Sequence, residues 1–132
     1  MTTLSTYLMF QDGKAEEAMN LYIDVFGGEV ESVSRWGSDG PGAEGTAQLA
    51  VFTLQGSRFM CFNSPPMHDF DFTPSTSTFV DFDDETELDR AYQVLSEDGA
   101  QLMPLDDYGF SKKFGWVNDR FGVSWQLNLP HS

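Results

Sequence analysis

The sequence predicts an α+β fold built from two similar half-modules, each ordered βαβββ. An internal repeat is the first reason. Residues 6–28, TYLMFQDGKAEEAMNLYIDVFGG, and residues 78–99, TFVDFDDETELDRAYQVLSEDG, share one pattern. Each is a short strand, an acidic helix entry, an amphipathic helix and a glycine stop. Order is the second reason. Alternating, strand-like residues follow each copy, and strands set to both sides of a helix favour α+β layers over a parallel α/β sheet. Two copies in 132 residues are too few for a solenoid, so the chain 1–132 reads as one domain with modules at about 1–63 and 76–130.

The elements follow in order. Thr3–Gln11 alternates as a strand, with Leu4, Thr6, Leu8 and Phe10 on one face and Ser5, Tyr7, Met9 and Gln11 on the other. Asp12 is placed to cap a helix over about residues 14–26, with Glu16 and Glu17 in its first turn. Ala18, Leu21, Tyr22, Val25 and Phe26 share one face of it, and Gly27-Gly28 ends it. Glu29–Trp36 reads as a strand and Gly37–Gly45 as a mobile glycine-rich loop. Thr46–Gln55 and Arg58–Asn63 read as a hairpin turning at Gln55-Gly56. Ser64–Ser75, with three prolines and no period, is the crossover between the modules.

The second module opens with a strand at Thr76–Phe82. Asp83, Asp84, Glu85 and Glu87 then start a helix over about 85–98, with Leu88, Ala91, Tyr92 and Leu95 on its apolar face. Acids at a helix start oppose the positive end of its dipole and need no catalytic explanation. Strands near Gln101–Leu105, Lys113–Asn118 and Val123–Leu129 complete the module.

Composition limits the function. The chain has 21 acidic against 7 basic residues, a net charge of −14, and 12 Phe. Nucleic-acid backbones and anionic membranes repel such a surface, so neither is an expected partner. The acidity reads as solvation, and it also fits a high-salt cytoplasm. The aromatic content argues against disorder. Cys61 is the only cysteine, so it can form no intramolecular disulfide; within RFMCFN it reads as a buried structural thiol. No signal-peptide pattern and no run of about 18 apolar residues is present, so a cytoplasmic location is expected.

Three segments resemble the vicinal oxygen chelate superfamily, the glyoxalase and dioxygenase fold, and within it the PhnB-like branch, also labelled 3-demethylubiquinone methyltransferase-like. Tyr7–Gly28 is similar to the opening strand and helix, and Gly56–Asn63, GSRFMCFN, to the fourth strand. Gly115–Leu127, GWVNDRFGVSWQL, is similar to the closing hairpin, with Asp119, Phe121, Gly122 and Trp125 forming the family's D-x-F-G-x-x-W word. The resemblance implies two βαβββ modules, each curling its sheet into an open cup. It also implies a homodimer, which the open sheet edges and apolar faces favour independently.

Metal-dependent members of the superfamily carry His and Glu ligands on inward strand faces. Carried onto this chain, those positions fall near Tyr7, near Cys61 or Asn63, near Ser77, and at Gln126. Phenol, amide and hydroxyl groups are poor ligands for transition metals beside imidazole and carboxylate. His68 lies in the crossover and His131 in the tail. The expectation is therefore no catalytic metal and no cofactor. Tyr7, Met9, Asn63, Ser77, Trp116 and Gln126 are the expected lining of a site for an unidentified small organic molecule. Trp116 and Trp125 alternate with polar neighbours and fit core or interface positions better than stacking platforms.

Lys112, Lys113 and Arg120 form the one basic cluster. It is a landing point for a small anion or a set of turn residues paired with Asp106, Asp107 or Asp119. No phosphate loop, G-x-S-x-G elbow or Cys–His couple is present, and no nucleotide-type glycine motif follows the first strand. Two readings follow. One is a metal-free binding protein like the superfamily's drug-sequestering members. The other is a lyase, isomerase or dioxygenase-like enzyme with unusual ligands.

Overall fold

The computed structural model describes residues 1–131. They divide into two compact units, Met1–Phe70 and a second from Asp71 onward, so the division falls inside the proline-rich crossover. The first unit contains β1 (Thr6–Phe10), α1 (Ala15–Phe26), β2 (Gly28–Arg35), β3 (Ala47–Leu54) and β4 (Ser57–Asn63). Its sheet runs β1-β4-β3-β2, with β1 parallel to β4 and the other pairs antiparallel. The second unit contains β5 (Thr78–Asp81), α2 (Glu85–Ser96), β6 (Ala100–Asp106), β7 (Lys113–Asn118) and β8 (Ser124–Leu129). Its sheet runs β5-β8-β7-β6, with β5 parallel to β8. The two sheets share one topology, which is the βαβββ repeat read from the sequence.

Each helix covers one face of its own sheet. In the first unit Ala15, Ala18, Met19 and Tyr22 of α1 are buried, as are Phe10, Ala50, Phe52, Phe59 and Cys61 of the strands. The expected apolar stripe is rotated: Leu21, Val25 and Phe26 are only half-buried, whereas Ala15 and Met19 are buried. Small alanines let the helix backbone sit close to the sheet, and Met19 fills the space they leave. In α2 all four expected residues, Leu88, Ala91, Tyr92 and Leu95, are buried.

The start of α1 corrects one expectation. Asp12 is not the cap; its carboxylate accepts the Lys14 amide instead, and Lys14 precedes the helix without a capping side chain. The cap comes from across the sheet. Asn63, at the end of β4, accepts the Ala15 amide through Oδ1 at 2.9 Å. In α2 the cap is local, with Asp84 accepting the Thr86 amide at 2.8 Å.

Turn chemistry fixes strand register. Gln55 and Gly56 have φ of 50° and 83°. Two left-handed residues form the tight turn whose twist matches a hairpin, and Gly56 takes its φ without steric cost. The loop expected to be mobile at Gly37–Gly45 is held to Trp36. The Gly45 amide donates to the Trp36 carbonyl at 2.9 Å, the indole donates to the Asn63 carbonyl at 2.8 Å, and a Cβ on Gly42 would overlap the ring. Gln11 ties the start of the crossover to β1, its amide bonding both the His68 N–H and the Phe70 carbonyl at 2.9 Å.

Asp119 organises the closing hairpin and explains the D-x-F-G-x-x-W word. It is 3% exposed. One carboxylate oxygen accepts the Phe121 and Val123 amides at 2.9 and 3.0 Å, and the other accepts the Trp125 indole N–H at 2.9 Å. Gly122 holds φ of 89° at the turn. The motif is thus a folding device, in which one carboxylate satisfies three buried donors. Asp119→Ala is expected to lower unfolding free energy by about 3 kcal/mol, because three buried donors lose a charged acceptor. Urea denaturation followed by Trp fluorescence measures it; a loss below about 1 kcal/mol would show that the carboxylate is dispensable.

Candidate functional site

A sheet with one helix has one uncovered face, and the expected site residues can be sorted by the face they occupy. Strand alternation places Tyr7 and Met9 of β1 on the open face of the first sheet, with Met60 and Phe62 of β4. Tyr7 stacks on Phe62 at 5.1 Å and stays 57% exposed. Burial and the neighbouring Cys61 both raise the Tyr7 phenol above its ordinary pKa. A neutral phenol offers a hydrogen bond but no charge.

Asn63 does not line that face. It points to the helix side, where its Oδ1 caps α1. Cys61 lies on the same side, its thiol donating to the Ala15 carbonyl at 3.6 Å. Burial pushes the Cys61 thiol up to about 12, with the Glu16 carboxylate adding to the shift. Such a thiol is a packing group rather than a nucleophile. The period of two decides this: in β4, Met60 and Phe62 face out while Cys61 and Asn63 face in. Register makes Met60 the counterpart of Gln126, since Tyr7 pairs with Met60 in the first sheet and Phe79 with Gln126 in the second.

The second sheet brings Ser77, Trp116 and Gln126 together on its open face. Gln126 donates through Nε2 to Ser77 Oγ at 3.3 Å. Ser77 Oγ lies 2.6 Å from Ser124 Oγ, and the Trp116 indole donates to Ser124 Oγ at 2.8 Å. Gln126 is flanked in register by Phe79 of β5 and Trp116 of β7. Ser124 and Phe79 were missed as site residues. Ser124 stands two positions from Gln126 on β8, and Phe79 two positions beyond Ser77, which immediately precedes β5, so the period of two alone pointed to them. Further along the face, Asp81 accepts the Asn128 amide at 2.9 Å. Phe79 stacks on Phe114, which Tyr108 and Phe110 meet edge-on.

Two residues of the basic cluster, Lys113 and Arg120, take the paired reading, with partners other than those expected. Lys113 donates to Asp89 at 2.7 Å and to Glu85 at 3.1 Å, both on α2. The Asp89 bond chiefly, then Glu85, raises the Lys113 ammonium pKa. Arg120 lies 3.8 Å from Glu97. These cations face acids around α2.

Histidine adds no site. The His68 ring stacks on Phe70 at 4.8 Å, and His131 is exposed at the end of the described chain. Among the described residues no three His, Cys, Asp or Glu side chains gather as metal ligands would. The groups at the carried-over positions on the open faces are phenol, hydroxyl, amide and thioether, and the Asp81 carboxylate farther along the second face is bonded to Asn128 rather than grouped with other ligands; that set does not fit a divalent first-row ion. No helix among the described residues is long and apolar enough to cross a membrane.

Fold and chain order are those of a glyoxalase-like protein. The model of the family described as 3-demethylubiquinone-9 3-methyltransferase matches residues 2–128, and the chain belongs to that family. Among solved structures it is similar to a PhnB protein from Bacillus cereus, at 53% identity and a TM-score of 0.92, over 97% of this chain and 99% of that one. A protein from Pseudomonas aeruginosa is 25% identical, with a TM-score of 0.85 over 100% of both chains. A glyoxylase/bleomycin resistance protein/dioxygenase domain from Frankia, at 13% identity and a TM-score of 0.69 over 99% of this chain and 98% of that one, shares the fold. A search of curated proteins finds no match.

The buried thiol gives a direct test of this geometry. Cys61 is expected to leave a disulfide reagent such as Ellman's unreacted at pH 8 in the native protein, and to react fully in urea. Rapid native labelling would place the thiol at the surface.

Proposed function

We propose that this protein binds a small organic molecule on the open face of its second sheet and does so without a catalytic metal. The observation that carries the reading is the neutral cluster of Ser77, Ser124, Trp116 and Gln126. Ser77 and Gln126 stand near positions that the superfamily resemblance assigns to metal ligands. Side chains that orient a ligand by hydrogen bonds beside aromatic surface make a binding site rather than a Lewis-acid site. Methyl transfer, the chemistry in the family's description, finds no glycine-rich nucleotide turn after β1, where Gly13 stands alone between Gln11 and Lys14.

Two measurements test the reading. A thermal-shift screen of neutral metabolites is expected to give hits that Gln126→Ala or Ser77→Ala weakens about tenfold, the size of one lost hydrogen bond to a ligand. Protein purified without chelator is expected to hold zinc, nickel, manganese and iron below stoichiometric levels. Stoichiometric metal bound with micromolar affinity and lost in Gln126→Ala would replace this reading with the metal-dependent enzyme.

The protein is also proposed to act as a homodimer. Tyr7 is 57% exposed on the largely apolar open face of the first sheet, which association would cover. Light scattering at micromolar concentration is expected to give twice the 14.8 kDa chain mass. A monodisperse monomer would refute the dimer.

A further inference from the structure

Around Gln126 the hydrogen bonds of the second sheet's open face leave two groups unmatched, beside the buried Asn118 and Asn128 Oδ1 acceptors that also lack a partner among the described residues, and the pair at Gln126 specifies a ligand. Ser77 and Ser124 own two hydroxyl hydrogens. One lies in the 2.6 Å contact between their oxygens. The indole N–H of Trp116 and the Nε2 of Gln126 both donate into the pair, so neither takes the second hydrogen. The cluster therefore holds one surplus O–H donor. Gln126 spends Nε2 on Ser77, and its Oε1 meets no donor among the described residues. With buried Ser124 as the donor in that contact, the surplus hydrogen falls on half-buried Ser77, next to Gln126, and a donor and an acceptor so placed favour a partner that satisfies both.

The surroundings restrict shape and charge. Phe79, Gln126 and Trp116 sit side by side on three neighbouring strands. Strand spacing makes that row roughly 10 Å wide, the scale of a fused bicyclic ring. Phe79 is half-exposed and presents ring surface, while Trp116 is held in place by its bond to Ser124. Asp81 stands on the same face two residues beyond Phe79, with its carboxylate bonded to Asn128, so an anion would meet a negative neighbour.

We propose that the ligand of this face is a flat, uncharged molecule with a hydrogen-bond acceptor and an N–H or O–H donor on adjacent atoms, as in a lactam. The inference rests on the proposed binding role of this face and adds the ligand's chemistry. The ligand carbonyl takes the serine hydroxyl, its N–H reaches Gln126 Oε1, and its ring plane lies along Phe79 and Trp116.

Three bicyclic probes of near-equal size test it: quinolin-2(1H)-one, its N-methyl derivative and quinoline-2-carboxylate. Binding to the full chain is read by Trp fluorescence and by calorimetry. The lactam is expected to bind at least tenfold more tightly than either other probe. Gln126→Leu, which keeps side-chain volume, is expected to erase that preference, and Phe79→Leu to weaken the lactam and the N-methyl probe alike. A melting temperature within a few degrees of the parent protein shows that each variant is folded. Equal binding of all three probes, with Gln126 still required, overturns the lactam proposal and leaves the binding role standing. Tighter carboxylate binding also overturns it. Absence of lactam binding overturns it too, and the metabolite screen then decides the binding role separately through its dependence on Gln126 and Ser77.

Discussion

One helix can cover only one face of a four-stranded sheet, and the rest of this structure follows from that constraint. Each module has a face packed by its own helix and a face without one. The covered face takes close-packed apolar residues: Ala18, Met19 and Tyr22 in the first module, and Leu88, Ala91, Tyr92 and Leu95 in the second. An uncovered face that stays apolar invites association, and polar groups on it weaken that drive. In the second module the uncovered face carries Ser77, Ser124, Gln126 and Asn128 among its aromatic residues. Polar groups on an uncovered sheet face are where binding chemistry can stand without damage to the core.

The two modules meet the constraint with different chemistry on one topology. In the first, Tyr7, Met9, Met60 and Phe62 make the open face largely apolar. In the second, Gln126 takes the place of Met60 and Phe79 that of Tyr7, by strand register. The helix entries differ as well. α2 is capped by Asp84 within its own chain segment, whereas α1 borrows Asn63 from β4. The borrowed cap couples the helix start to the end of the strand, so α1 cannot be fully satisfied until β4 is in place. Arg35 adds a second tie, meeting both Glu16 oxygens at 2.7 and 2.9 Å, and that hydrogen bond holds the Glu16 carboxyl below the usual range.

Charge has little part in the candidate site. The −14 balance rests mostly on exposed acids, and Lys113 and Arg120 are drawn to carboxylates around α2. Asp119 is the buried exception, and its carboxylate serves the backbone of the closing turn. With charge committed to solvation and folding, recognition on the second sheet is left to neutral hydrogen bonds and ring surfaces.

Period, caps and glycines made most of the fold legible in the sequence. Both helices, the hairpin at Gln55-Gly56 and the βαβββ order are local patterns, and local sterics and side-chain spacing decide them. The face of a strand residue was legible where a neighbour fixed the phase, as for Gln126 between buried Trp125 and Leu127. It was not legible for Asn63, because a buried amide at a strand end suits a ligand site and a helix cap equally. Only the approach of α1 to β4 chose the cap. Likewise the sequence marked Ser77 and Gln126, which lie 49 residues apart, as separate candidates. Their contact, and the addition of Ser124 and Phe79 to the same face, required the parallel pairing of β5 with β8. Strand register across such a distance is set by packing of the whole module, which no local pattern contains.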